Sequence, residues 1–168
     1  HKQAISMLEM IDLHCEYAVN PIGIDVRQPR LGWKLQSTRR GARQHAYQLA
    51  VAASADDLQA ERWLWDTGRR VSGQPAHHVY AGPALAARQR YGWQVRVWDE
   101  ADQPSAWSTP AFWEMGLLDA DEGRAAWITP DWDEDDTISQ PAPLLRREFQ
   151  LQAAPVAARL YATSLGIY

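Results

Sequence analysis

The sequence predicts an all-β fold, a two-sheet antiparallel β-sandwich over residues 11–118, and three observations carry that prediction. Apolar residues along this stretch recur at alternate positions, the period of a half-buried strand, with a single short segment of helical character. Asn, Pro, Gly and Asp punctuate the runs at the intervals where sandwich turns fall. Nine tryptophans in 168 residues lie mostly inside the strand-like runs, as in a core built from aromatic rings.

Residues 1–10 read as an N-terminal tail. The first strand is expected from Ile11 to Val19, with Ile11, Leu13, Cys15, Tyr17 and Val19 on one face and Asp12, His14, Glu16 and Ala18 on the other. Cys15 is then a small buried apolar residue, not a reactive thiol. The alternation breaks at "NPIGIDVRQP". Asn20-Pro21 and Gly23 end the strand, Pro29 keeps the connection extended, and Asp25 and Arg27 are placed to tie this corner together. Leu31, Trp33 and Leu35 mark the next strand; Tyr47, Leu49, Val51 and Ala53 share a face of the third.

"SADDLQAERW", residues 54–63, predicts a short helix, with Ser54 as its cap and Asp57 three residues on, close to a capping box. "LWDTGRRVSG" and "HHVYAGPAL" are short strands bounded by Gly and Pro. The clearest strand is "RYGWQVRVWDE", which sets Tyr91, Trp93, Val95 and Val97 against Gln94, Arg96 and Trp98; "WSTPAFWEMGLL" closes the sandwich. Residues 119–142 form an acidic, proline-bearing linker with a brief strand, "AAWI". Within residues 143–168, "LLRREFQL" and "AARLYATSLGIY" predict two strands, too few to stand alone, which begin a truncated second β domain.

Bulk properties narrow the function. A net charge of −4 gives no electrostatic basis for binding nucleic acid or an anionic membrane. No run reaches the roughly 18 apolar residues of a membrane-spanning helix. The first residues lack the basic-then-apolar order of a secretory signal, and with a lone cysteine this points towards the cytoplasm. That one cysteine excludes an internal disulfide and a cysteine-rich zinc site.

The motifs are structural in character. Leu85 and Tyr91, six residues apart, suit a tyrosine corner, in which the phenol hydroxyl bonds to upstream backbone. Arg96 and Trp107 are placed for a cation–π contact between neighbouring strands. Asp131, Asp133, Asp135 and Asp136 resemble a calcium loop only superficially, because Asp136 stands where Gly is needed and Ala142 where Glu is needed. His77 and His78 face opposite sides of a strand, and His14 and His45 have no evident partner, so no metal site is expected. Glycosidases need only two carboxylates. Glu114, Glu148, Asp66 and Asp99 are candidates, but nothing in the sequence sets two of them across a cleft.

"CEYAVNPIGIDVRQPRLGWKLQSTRRGARQHAYQLAVA", "LWDTGRRVS", "YGWQVRVWDEADQPSAWSTPAFWEMGLL" and "PLLRREFQL", taken as an ordered set, resemble the N-terminal region of bacterial α-L-rhamnosidases. The resemblance implies an immunoglobulin/fibronectin type III-like sandwich followed by the first strands of a jelly-roll-like domain. In that family an inverting reaction, which releases terminal rhamnose, uses an acid and a base from a later (α/α) barrel. No position here matches that motif, so the resemblance implies no catalytic residue and no cofactor. It implies a non-catalytic accessory region whose partners are the downstream domains of its parent chain. Two other readings stand beside it. A stand-alone carbohydrate-binding module would use exposed Trp98, Trp107 and Trp132 on a rhamnosylated glycan. A receptor-like protein-interaction module would share the Trp-Ser pair that precedes the last strand.

Overall fold

The computed structural model describes residues 8–119, 125–131, 137–138 and 142–164. The chain packs as two units, His1–Arg124 and Ala125–Tyr168. The described part of the first unit is all β apart from one helix. In chain order it contains β1 (Glu9–Cys15), β2 (Ile22–Ile24), β3 (Arg30–Gln36), β4 (Gln44–Ala52), α1 (Ala55–Gln59), β5 (Trp65–Asp66), β6 (Arg70–Val71), β7 (His78–Val79), β8 (Arg90–Asp99) and β9 (Ala111–Met115). They form a three-stranded sheet, β1-β3-β7, and a six-stranded sheet, β2-β9-β8-β4-β5, with β6 also on β4. Pairing is antiparallel except between β2 and β9.

The core lies between the two sheets. Leu13, Cys15, Leu31 and Trp33 from the small sheet meet Leu49, Val51, Trp93, Val95, Val97 and Trp113 from the large one. Aromatic rings run through it in sequence: Trp65 on Tyr80 at 4.9 Å, Tyr80 on Trp113 at 6.0 Å, and Trp113 on Tyr91 at 5.5 Å between centroids. Burial of these rings against apolar neighbours is the main stabilising term. The tyrosine corner forms as its spacing predicts: the Ala86 N–H donates to the Tyr91 hydroxyl at 2.8 Å, beside buried Leu85.

Several elements differ from expectation. β1 starts earlier and stops at Cys15, and a register shift between Ile11 and His14 turns Ile11 outward and Met10 inward. Tyr17 and Val19, expected inside, are exposed. The cause is a tight turn at Glu16-Tyr17, two residues that continue the apolar–polar alternation and so hide the break. The helix is capped as predicted, with the Asp57 N–H donating to Ser54 Oγ at 3.0 Å, but it ends at Gln59 and Glu61 then takes φ +55°.

The interrupted stretch after Val19 is more than a corner. It lays β2 along β9 as a parallel edge strand. Asn20 Oδ1 accepts from the Phe112 N–H at 2.9 Å, Pro21 O from Glu114 at 2.9 Å, and Ile24 O from Gly116 at 2.7 Å. Gly116 suits that approach: a Cβ there would sit a tight 3.1 Å from the Gly23 backbone. Arg27 does not tie back to Asp25; it reaches Asp119 at 2.6 Å and the Leu118 carbonyl at 3.0 Å.

In the second unit no described residue is in a strand or helix. "AAWI", "LLRREFQL" and the described part of "AARLYATSLGIY" therefore do not form the strands their alternation predicts. A strand needs an edge to receive its N–H and C=O groups. None of the described residues of the second unit supplies one, and Leu144, Phe149 and Leu160 are exposed.

Candidate functional site

The outer face of the large sheet carries a stack of alternating guanidinium and indole groups. Strand alternation puts Gln94, Arg96 and Trp98 of β8 on this face, and the register sets Gln48 of β4 opposite Arg96. The Arg96 guanidinium lies over Trp107 at 4.8 Å and over Trp98 at 5.1 Å, and Arg69 lies over Trp98 at 5.4 Å. Arg96 Nε donates to Gln48 Oε1 at 2.8 Å, and Gln48 Nε2 donates to Asp66 Oδ1 at 2.8 Å. Trp63 meets Trp107 edge-on at 5.5 Å, beside the patch where α1 packs Leu58 over Ala50 and Ala52.

The segment that delivers Trp107 is fastened by its serines. The Ser105 and Ser108 N–H groups donate to the Val97 and Val95 carbonyls of β8, each at 2.8 Å, and their hydroxyls accept from the Val97 and Val95 N–H groups at 3.0 and 3.1 Å. The contact foreseen between Arg96 and Trp107 is thus present, extended by Trp98 and Arg69. Trp98 and Trp107, the aromatic residues expected for a glycan, both lie in this stack. Trp107 also lines an open 330 Å³ hollow with residues 8–11, Ala106, Ser108 and Thr109. Trp132 lies outside the described residues, as do Asp133, Asp135 and Asp136.

The candidate carboxylates are separate structural acceptors. Glu114 takes a hydrogen bond from Arg90 at 3.1 Å. Asp66 takes the Gln48 amide and the Gly68 N–H, each at 2.8 Å. Asp99 caps a turn through the Ala101 and Gln103 N–H groups, both at 2.9 Å. Glu148 pairs with Arg146 in the second unit. These contacts hold each of them by a different donor set.

A second constellation, missed in the sequence, sits where β1 turns. Glu16 accepts the Arg30 N–H at 2.6 Å and grips its guanidinium in a forked pair, with 2.6 Å between Oε2 and Nη2. Arg30 holds the Glu16 carboxyl below its usual range, chiefly through that hydrogen bond. Arg30 also lies over the Tyr17 ring at 4.9 Å, and Tyr17 meets His77 edge-on at 5.9 Å. With His14 and Leu31 these residues line a hollow of 180 Å³. His14 donates from Nδ1 to the Asp12 carbonyl at 3.0 Å and lies across Gly32, where a Cβ would fall 2.4 Å from His14 Nε2. The usable sequence signal was the glutamate facing an arginine of the next strand, which alternation alone does not expose.

His77 and His78 separate as their adjacency requires. His78 is packed between Trp33, stacked at 4.8 Å, and Tyr47, at 4.2 Å, and its Nε2 lies 2.8 Å from the Gln74 carbonyl. Burial pushes its pKa below the ordinary value.

Residues 10–119 match the model of a family described as Rha78A-like, N-terminal immunoglobulin domain. An α-L-rhamnosidase of Streptomyces avermitilis is 42% identical over 140 residues, which is 83% of this chain and 12% of that protein. An α-L-rhamnosidase of Formosa agariphila is 34% identical over 155 residues, 89% of this chain and 17% of that protein. The crystal structure of the Streptomyces avermitilis α-L-rhamnosidase complexed with L-rhamnose superposes with a TM-score of 0.70 at 43% identity, over 73% of this chain and 12% of that one. The chain thus spans 12% and 17% of the lengths of the two relatives.

Proposed function

The chain belongs to the family of Rha78A-like N-terminal immunoglobulin domains, and from that premise we propose that it is the non-catalytic N-terminal accessory region of a multidomain α-L-rhamnosidase. Its parent would hydrolyse terminal α-L-rhamnose from glycosides with inversion, using carboxylates supplied by a later domain. The sandwich packs against the domains that follow and positions them. The observation that carries this reading is the asymmetry of the match: 83% of this chain aligns within 12% of a relative that is itself a rhamnosidase.

The chemistry of the residues supports it. Glu114, Asp66 and Asp99 are each committed to separate donors within the sandwich, where a glycosidase would need two carboxyls facing across a bound sugar. Deleting the sandwich from the intact parent tests the packing role. The truncated parent is expected to unfold at a temperature lower by several degrees, as loss of a docked domain of a few kcal/mol requires. Aryl rhamnoside turnover per folded molecule should be retained. An unchanged unfolding temperature would remove the packing role; loss of turnover in a folded truncation would place part of the active site in the sandwich.

A further inference from the structure

The turn after β1 uses residues that its backbone disfavours. Cys15 and Ala18 exchange N–H to carbonyl bonds at 2.9 and 3.0 Å, and the two residues between them, Glu16 and Tyr17, have φ of +46° and +70°. That is the pattern of a type I′ turn, ordinarily built from Asn-Gly, Asp-Gly or Gly-Gly because both central residues are left-handed. His77, the third ring-bearing wall of the hollow beside the turn, is left-handed as well, at φ +62°. Such backbone strain gathers at ligand sites more than elsewhere.

Glu16 has a structural reason to be there, since its carboxylate secures both the backbone and the guanidinium of Arg30 and its side chain is only 11% exposed. Tyr17 has none of comparable weight. It is 68% exposed, and its ring meets Arg30 and His77 at the hollow. A glycine would make the same turn without the left-handed penalty. The tyrosine side chain therefore serves something other than the turn.

The walls of the hollow indicate what it takes. Glu16 and Arg30 neutralise each other, so the pair offers no net charge to attract a phosphate or carboxylate. Their forked geometry still fixes several donors and acceptors in place. Leu31, fully buried, contributes an apolar wall, and the His14 and His77 rings complete the lining. An exposed aromatic ring beside fixed, charge-balanced polar groups suits a neutral ring that has an apolar C–H face and a fringe of hydroxyls.

We propose that the hollow lined by His14, Glu16, Tyr17, Arg30, Leu31 and His77 is a monosaccharide subsite for a neutral pyranose, with Tyr17 as its stacking platform. It is separate from the arginine–tryptophan stack on the large sheet. It goes beyond the accessory role and does not depend on it, since that role is read by deletion and this one by sugar binding.

The test is a titration of the ¹⁵N-labelled 168-residue chain with L-rhamnose, D-glucose and D-galactose, followed by amide NMR shifts. At least one sugar is expected to give saturable shifts confined to residues 14–18, 30–31 and 77–78. Tyr17→Gly should keep a dispersed spectrum and bind at least about tenfold more weakly, whereas Trp107→Ala should bind as the parent does. Three results would overturn the proposal: no saturable shift with any of the three sugars in a folded sample, shifts centred on Trp98 and Trp107, or undiminished binding by Tyr17→Gly.

Discussion

At Tyr17 an L-residue holds a left-handed backbone, a conformation that costs roughly 1–2 kcal/mol, while most of its ring stays in water. Replacing it with glycine removes that cost and forfeits an exposed cation–π contact of about 0.5–1 kcal/mol. Tyr17→Gly should therefore unfold in urea with a stability equal to the parent's or up to about 1 kcal/mol higher. A loss of more than about 2 kcal/mol would mean that the ring is a structural element after all. His78 is the opposite case, a titratable group used as core. Burial against Trp33 and Tyr47 lowers its pKa, the Gln74 carbonyl partly opposes the shift, and His77 adds to it. A depressed pKa means that the unfolded chain binds the proton more readily. The stability His78 contributes is complete above its ordinary value of 6.5 and is lost as pH falls from there through the folded value. His78→Phe should flatten urea midpoints against pH in that window; an unchanged slope would show that His78 does not carry it.

Among the elements, the arginine–tryptophan stack fixes how β8 joins the segment before β9. Arg96→Ala removes two cation–π contacts of roughly 0.5–1 kcal/mol each and leaves the buried Gln48 amide oxygen without its donor. The expected loss is about 2 kcal/mol, a fall in unfolding temperature of roughly 8 °C. Arg96→Lys should rescue little, because an ammonium lacks the planar face that both rings contact. A change under about 0.5 kcal/mol would show that the stack contributes nothing measurable. This stack was legible in the sequence because Arg96 and Trp98 share a parity on the strongest strand and Trp107 opens the next run. The tyrosine corner and the Ser54 cap were legible for the same reason, being local signals with fixed spacing. β2 was not. Its three residues, Ile22–Ile24, are a strand only because the Glu114 and Gly116 N–H groups reach their segment from almost a hundred residues away. The turn at Glu16-Tyr17 was hidden because its residues contradict the local preference for Asn-Gly and continue the alternation, and with it went the hollow. In the second unit, alternation in residues 144–151 and 157–164 announces strands, and the described residues of that unit offer no partner edge on which to form them.

Over the whole first unit, one core joins both sheets, so the sandwich has the construction of a domain that folds as a unit. Its polar groups are spent on holding that construction. Arg27 secures the chain at Leu118 and Asp119, Arg90 holds Glu114, and Gln48 links Arg96 to Asp66. On the function proposed above, such a molecule assists a rhamnosidase without sharing its chemistry. The most direct measurement is turnover of an aryl α-L-rhamnoside by the purified 168-residue chain, with an intact rhamnosidase assayed alongside. Release indistinguishable from buffer is expected while the intact enzyme turns over. Saturable hydrolysis that persists through purification and is abolished by changing a carboxylate of the sandwich would contradict it.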